Sequence, residues 1–518
     1  MLFKYKISTS VILIILLKFS FFLIFLTSWL KNFFGDYVAY QEILFYLSTG
    51  ISFIKTAPQD VIYSFLVNVF LKSLIATLMI LFFYFCFKRY KNLIYDKLRK
   101  IDLFNQNVRS TFIIIFFFST IIYFSINFDF QKLFLNKINK EIFYIKNYKN
   151  PKDLEYKKPN TFKNLILIFF ESAEKDLPNF SIKVENDQGS IEEYIDNEYI
   201  YESIKEFNNY EIENFVQAES LGWSMAGMAA AQCGIPIYNL NRSFKEKNIL
   251  SNNKKSTCIG DILKDFGYKQ FFFTGGSKNF QQMDKFFLNH GYDNVFGRSY
   301  YITQGIDNKY FRSWGGGMHD DFLFNQVIER LKKVKKDQDP FNVTIITSDT
   351  HVPFKFMSPN CHNNDGSFNK IFKNHFYLNM RESFKCTSRF ISKFLNELKK
   401  ENLFDNTLVV IAGDHLIPIS KQTEQYLKIR NTNNNPLANR RIFFTVINSK
   451  NNPTRNLMSH YDIGPTILND LKLLDLDQDK FGLGLSLYSK YKPDRYFKEY
   501  NKIISTENLG NIFNEIYE

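Results

Sequence analysis

Cysteine is scarce, with five in 518 residues, and no two stand in the Cys-x-x-Cys spacing of a structural zinc site. Also missing is Gly-x-Ser-x-Gly, the elbow on which α/β-hydrolases mount their serine, so a hydrolase triad has little support. No internal repeat is present. No small-residue cleavage site follows the first apolar run, which argues against a signal peptide. The net charge of +13 does not gather on one patterned face. Its basic clusters flank apolar segments instead, which disfavours a nucleic-acid partner and suits a membrane surface.

Apolar length is what the chain has in plenty. Phenylalanine numbers 58, much of it in the first 130 residues. Val11 to Leu30 is 20 residues, enough to cross a bilayer. Val61 to Phe87 is 27, about 40 Å as a helix, and crosses with tilt. Thr111 to Phe128 makes a third span, and Tyr37 to Ile54, which carries Glu42 and Gly50, is a weaker fourth. The basic segment Lys88 to Lys100 lies between two spans and is expected to stay in the cytoplasm. Everything after about residue 130 is then expected on the far side. Lys18 and Lys72 fall inside the apolar runs. Each reads as a lipid-phosphate or proton site, as the mark of a shifted span, or as a stem reaching toward the headgroups.

Cys86 ends a span, which leaves Cys233, Cys258, Cys361 and Cys386 beyond the membrane. Four cysteines allow three pairings in an oxidising compartment, and sequence proximity favours Cys233–Cys258 and Cys361–Cys386.

After the transmembrane region (1–130) and a Lys- and Asn-rich linker (131–162), a catalytic domain is expected over 163–490, with a tail at 491–518. "NLILIFFES" is a short apolar run that stops at Glu171 and Ser172, as a buried parallel strand would. "NVTIITSDTHVPF" and "NTLVVIAGDHL" repeat the design, ending in Asp349 and His351, and in Asp414 and His415. "YKQFFFTGG" and "RRIFFTVINS" read as two more strands, and Asp320–Val334 and Tyr377–Leu398 carry helical patterns. Strand alternating with helix predicts an α/β fold with a mostly parallel sheet flanked by helices.

Ligands collect at the carboxyl ends of such strands. Adjacent Asp414 and His415 can reach one divalent cation, and Glu171 adds a second carboxylate. The plainer alternative has Asp414 capping a turn, His415 at the surface and Glu171 facing solvent. Ser224 lies in "GWSMAG". A serine hydroxyl needs a base or a metal to become a nucleophile. If it starts the helix continued by "MAGMAAA", free N–H groups would face an incoming anion, and small residues would let the helix lie close to the sheet. His460 either supports the metal from behind its ligands or fastens a loop. His319 faces substrate or a helix start, and His290 reads as structural.

Taken in order, "FFES", "GWSMAGMAAAQCGIP", "FFLNHGYDNVFG", "WGGGMHDDFLF", "SDTHVPF", "GDH" and "SHYDIGPTIL" resemble the alkaline-phosphatase-superfamily membrane transferases. The likeness is strongest to the phosphoglycerol transferases that decorate periplasmic glucans, relatives of lipoteichoic acid synthase with a sulfatase-like catalytic domain. It covers roughly Asn164 to Leu471. The resemblance implies a nucleophile at Ser224, where the family usually carries Thr. It also implies one divalent ion on Glu171, Ser224, Asp414 and His415, with manganese first and magnesium or zinc as alternatives. It assigns His351 to proton transfer or phosphate binding, and Trp314, Asp320 and Asp349 to the substrate side.

The implied partners are a phospholipid donor, phosphatidylglycerol, and a glycan acceptor, at the inner membrane with the catalytic domain periplasmic. Phosphoethanolamine transfer, phosphodiester hydrolysis and a non-catalytic scaffold are the alternatives. Where lipoteichoic acid synthases carry an aromatic-Asn-Arg clamp this chain has "FQQMD", Phe280 to Asp284, which favours the glucan-modifying branch. Ser224 is followed by "MAGM", lacking the Pro and Arg that mark ordinary sulfatases.

Overall fold

The apolar runs fold as helices, the form that satisfies every backbone group without water. The structure, a computed structural model of the whole chain, describes residues 9–34, 59–94, 106–130, 148–175, 180–185, 191–196, 198–218, 221–237, 256–312, 317–352, 357–361, 376–418 and 440–490, with Tyr40, Ile43 and Leu177. They fall into two units, Met1–Lys137 and Ile138–Glu518.

In the first unit α1 is Thr9–Phe34. Helix α2, Gln59–Phe65, continues through a π-helical turn, Leu66–Leu71, into α3, Lys72–Ile94, and α4 is Gln106–Asn127. Among the described residues three stretches are long and apolar enough to cross a membrane: Thr9–Asn32, Val61–Cys86 and Ser110–Asn127. Large apolar side chains such as Ile15, Phe85 and Phe112 stay exposed, as a lipid-facing surface requires. Hydroxyls inside the helices turn back on their own carbonyls, Ser20 to Leu16 and Thr27 to Leu23. The weaker fourth span lies outside the described residues apart from Tyr40 and Ile43.

The second unit is built on a seven-stranded sheet. Its strands are β1 (Asn164–Phe170), β2 (Tyr210–Glu211), β3 (Lys269–Thr274), β4 (Asn294–Phe296), β5 (Phe341–Ile346), β6 (Thr407–Gly413) and β7 (Phe444–Ile447). The spatial order is β2-β7-β6-β1-β5-β3-β4. Strands β6, β1, β5, β3 and β4 run parallel, and β7 is antiparallel to both β6 and β2. The fold is thus the mostly parallel α/β sheet the strand pattern predicts.

Strand β1 is central and covered on both faces, so Leu165 to Phe170 are all fully buried and apolar. On one face Ile166, Ile168, Val343, Val409 and Ile411 pack with α7 (Asp320–Val334) and α8 (Phe376–Lys400), whose Phe324 and Phe394 rings meet at 4.9 Å. On the other, Thr344 bonds the Tyr292 hydroxyl, which Gln232 of α5 (Ser224–Cys233) also reaches. Helix α6 (Ile259–Asp265) is tied to α5 by the Cys233–Cys258 disulfide, and α9 (Ile463–Asp470) follows His460. Cys361 and Cys386 form the second disulfide.

Candidate active site

Register brings the three polar strand endings to one edge. Phe170 of β1 is level with Gly413 of β6, and Phe169 with Ile346 of β5. Glu171, Asp414–His415 and the loop Thr347–His351 therefore leave the sheet side by side, at its carboxyl edge.

The chain leaving β1 turns sharply. Ser172 adopts φ 55°, a left-handed conformation uncommon for a residue with a Cβ. This aims its N–H at Asp414 Oδ1 (2.7 Å), while its hydroxyl donates to Glu171 Oε1 (2.8 Å). The Glu171 backbone is held at both ends, its N–H by Thr347 Oγ1 (2.9 Å) and its carbonyl by Thr350 Oγ1 (2.6 Å).

Ser224 opens α5 and faces these groups. Its Oγ lies 3.4 Å from Glu171 Oε2 and 3.4 Å from His415 Nε2. His415 Nδ1 donates to the Leu416 carbonyl (2.7 Å), so the Nε2 lone pair is the one presented to the site. That nitrogen is 3.5 Å from Glu171 Oε1 and 3.4 Å from Asp414 Oδ2. Asp414 Oδ2 is fully buried and, among the described residues, receives no hydrogen bond. Burial first, and the neighbouring Glu171 carboxylate second, push Asp414 up to about 6.

Two crowded carboxylates, an orphaned buried oxygen and a tautomer-fixed imidazole are what a divalent ion requires. Glu171, Asp414 and His415 offer atoms within 4.8 Å of one another. Donors ~2.0–2.2 Å from a tetrahedral ion stand ~3.3–3.6 Å apart, and the separations of Ser224 Oγ from Glu171 Oε2 and of His415 Nε2 from Ser224 Oγ and Asp414 Oδ2 lie in that range. The residues fit one ion held by Glu171, Asp414 and His415 with Ser224 as the fourth donor. The sequence singled out all four.

Around this centre, several groups do other work than the sequence suggests. Beyond Ser224 itself, the first-turn N–H groups of α5 are already engaged. Met225 N–H donates to Gln281 Oε1 (3.0 Å), and Ala226 and Gly227 N–H both return to the Trp223 carbonyl. Gln281 and Gln282, in the segment that departs from the family clamp, both have positive φ, 49° and 58°. Asp320 and Asp349, expected on the substrate side, brace each other inside the protein. Asp320 accepts from the N–H groups of Ser348 (2.7 Å) and Asp349 (3.1 Å) and from the Thr387 hydroxyl (2.9 Å). Asp349 pairs with His319 Nδ1 (2.9 Å) and accepts from Asp320 N–H (3.1 Å). The Asp320 carboxylate thus ties the loop after β5 to α8, and the Asp349 carboxylate ties that loop to the start of α7.

His351 has Nδ1 on the Val352 carbonyl (2.7 Å), and loss of solvent around the ring first, with the Arg312 guanidinium second, holds its imidazole down to about 4. Trp314 lies outside the described residues, as do His362 and His375. His460 is fully buried, stacks edge-on to Phe215 at 4.8 Å, and donates from Nε2 to the Gly413 carbonyl (2.9 Å), the residue before Asp414. Burial holds its imidazole down to about 4, so it is neutral. It fastens the end of β6 and thereby the ligand loop. His290, with Nδ1 on Asp261 (2.8 Å), is structural.

Three groups escaped the sequence reading. Glu174 and Arg440 form a buried ion pair, and the same pair holds Ile417 by its N–H (2.9 Å, to Glu174) and its carbonyl (2.5 Å, to Arg440). Arg312 bonds the carbonyls of Ser348 and His351, setting the β5 loop. A lone Glu or Arg far from any motif gives no local sign of such a task.

The sulfatase family model matches residues 163–472, more than half of the chain. Phosphoglycerol transferase I of Citrobacter koseri is 27% identical over 285 residues, 53% of this chain and 34% of that protein. The chain thus spans about a third of the length of the curated relatives it matches. Among solved structures, the lipoteichoic acid synthase of Listeria monocytogenes matches 67% of this chain and 82% of its own, at 20% identity and TM-score 0.46. A phosphoglycerol transferase of Streptococcus pyogenes in complex with sn-glycerol-1-phosphate matches 71% and 98%, at 14% and 0.43. With the family model covering the sheet, α5 and all four candidate ligands, the chain belongs to the sulfatase family.

Proposed function

We propose that this protein is a membrane-anchored, metal-dependent transferase that moves phosphoglycerol from phosphatidylglycerol to a glycan hydroxyl through a covalent ester on Ser224. One observation carries the reading. The Ser224 hydroxyl is bracketed at 3.4 Å by Glu171 and His415, beside an Asp414 oxygen that receives no hydrogen bond among the described residues. The similarity to curated phosphoglycerol transferases supports the choice of headgroup.

Glu171, Asp414 and His415 would hold one divalent ion, with manganese the first candidate and magnesium or zinc next. When bound, it supplies positive charge that favours the deprotonated hydroxyl and offsets charge developing on the phosphate oxygens. Ser224 Oγ gives up its proton and forms a bond to phosphorus as the bond to diacylglycerol oxygen breaks, and diacylglycerol leaves with a proton. A glycan hydroxyl then attacks the same phosphorus, its proton departs, and Ser224 leaves and is reprotonated. With Nδ1 committed to Val352, His351 has Nε2 as its basic atom and is the candidate to move these protons. Gln281 and His460 act through position, one fixing the start of α5 and the other the end of β6.

The three apolar helices keep the catalytic unit at the bilayer that contains the donor. The inner membrane, with the catalytic unit on the side opposite Lys88–Lys100, is the location this reading assigns.

The test is mass spectrometry of the purified full chain after incubation with phosphatidylglycerol or phosphatidylethanolamine and manganese. The expected result is a phosphoglycerol adduct on Ser224 from phosphatidylglycerol only, absent in Ser224→Ala. An adduct from phosphatidylethanolamine alone would reassign the donor, and no adduct from either would end the proposal.

A further inference from the structure

The membrane unit contains a cavity, walled on one side by Phe25 and the Trp29 ring and on the other by a cluster of polar groups, that catalysis as described does not use. It encloses about 270 Å³ between α1 and the α2–α3 helix, and its polar lining is Ser28, Trp29, Asn32, Ser64, Asn68 and Lys72. Trp29 Nε1 donates to Ser64 Oγ (3.0 Å), and Asn68 Nδ2 donates to the Ser64 carbonyl (3.0 Å) and hydroxyl (3.3 Å). Asn68 Oδ1 accepts from Lys72 Nζ (2.8 Å).

The direction of these bonds is informative. Ser64 Oγ already accepts twice, so its own hydrogen is left to donate. Lys72 uses one N–H on Asn68 and keeps two. Among the described residues no carboxylate pairs with Lys72. Among the described residues the cavity therefore presents the Ser64 hydroxyl and a lysine with no carboxylate beside it, a pair of donors that recognises an anion rich in oxygen acceptors.

The helix geometry serves the same arrangement. Ser64, Asn68 and Lys72 are spaced by four, and in a regular α-helix such a series drifts about 40° per step. The π turn at Leu66–Leu71 winds more residues per turn and counters that drift, keeping all three on one face.

Depth identifies the source of the anion. The second span is 26 residues, about 39 Å of helix against about 30 Å of hydrocarbon. With its far end set by the basic segment from Lys88, the surplus length places Ser64 in the interfacial layer and the Lys72 backbone about 12 Å further in along the helix. Lys72 is exposed and reaches back toward Asn68, as a membrane lysine does near a headgroup. Trp29 stands three residues from the end of the first span, Asn32, where aromatic belts form.

We propose that this cavity binds the phosphate of an anionic glycerophospholipid taken from the leaflet opposite the basic segment, with Lys72 and Ser64 as its donors. The inference stands apart from the catalytic reading, and the test keeps the two separate by using Ser224→Ala protein, which cannot turn a lipid over.

Full-length protein is taken from phosphatidylcholine bilayers with and without phosphatidylglycerol, and retained lipid is counted by native mass spectrometry. Parallel detergent samples receive inorganic phosphate alone. One phosphatidylglycerol should be retained selectively, with retention weakened about tenfold or more by Lys72→Met and by Ser64→Ala and restored in Lys72→Arg. Inorganic phosphate should not displace it. Equal retention by Lys72→Met, retention of phosphatidylcholine to the same extent, or displacement by free phosphate would each overturn the proposal.

Discussion

A Cβ placed on Gly227 would lie 2.0 Å from the backbone carbonyl oxygen of Asp414, closer than any side chain tolerates. Helix α5 and the end of β6 are thus in direct backbone contact, and the distance between Ser224 and its facing ligands depends on that contact. The "MAGM" run is small because one position in it has no room. Gly227→Ala must push the helix away from the sheet edge. We expect a destabilisation of about 1–3 kcal/mol by thermal melting. Adduct formation on Ser224 should fall about a hundredfold, since ~1 Å of misplacement is enough for that. Unchanged adduct formation would show that the hydroxyl and its facing ligands need not be in fixed register.

The buried pair Glu174–Arg440 should matter for ion binding although neither residue touches the ion. Both are almost wholly buried, and between them they hold Ile417, two residues beyond His415. Arg440→Met leaves a buried carboxylate without its partner, for an expected loss of about 3–5 kcal/mol. The double variant Glu174→Leu/Arg440→Met removes the stranded charge and should recover much of that stability. Metal affinity, read by titration calorimetry, should stay weakened in both, because Ile417 is no longer tied down. A double variant with native affinity would count against the positioning role.

How far the sequence carried these conclusions depends on the kind of residue. Three apolar runs each ending in metal-binding residue types marked β1, β5 and β6, because a central parallel strand must be apolar until it leaves the sheet. The bounds of α7, Asp320–Val334, were likewise legible from its pattern. What composition at a strand end cannot tell is where a carboxylate points. Among the described residues Asp414 keeps one oxygen unbonded in the site, while Asp320 accepts from N–H groups of the loop after β5 and Asp349 from the start of α7. Nor does it register partners far apart in the chain. Gln281 caps Met225 from 56 residues away and Arg440 meets Glu174 from 266, and no local pattern marks either pair.

Proton and ion should compete at Asp414. In metal-free protein its carboxyl is pushed up to about 6, above the ordinary 3.8, by burial and by Glu171. A raised acid favours the folded state when protonated. On this group's account the metal-free protein gains stability as pH falls from above 6 toward 4, by up to ~3 kcal/mol. With the ion bound the order reverses, since a ligand must be deprotonated and acid displaces the metal. The rise in Tm on adding manganese should be largest above pH 7 and shrink as pH drops through about 6. A metal-induced shift independent of pH from 5 to 8 would exclude Asp414 as a ligand.

His460 should act in the opposite sense. Its folded-state value, about 4, lies below the ordinary 6.5 because burial disfavours the imidazolium, and its Nε2 proton is engaged with the Gly413 carbonyl. A lowered base costs stability wherever the unfolded chain takes up a proton that the folded chain refuses. That cost is absent above pH 7 and grows as pH falls from about 6.5 to 4, reaching ~3 kcal/mol at the acid end. Replacing the ring with an uncharged donor, His460→Gln, removes the titration and keeps a group able to bond Gly413. The variant should be less stable than the wild type at pH 7.5, where ring packing against Phe215 is lost, and should lose less on going to pH 5. Its metal affinity should drop only about tenfold, the scale for residues that support a ligand from behind. If chemical unfolding at the two pH values shows the same acid loss in both proteins, another group carries the dependence and the neutral imidazole is not what secures the β6 end.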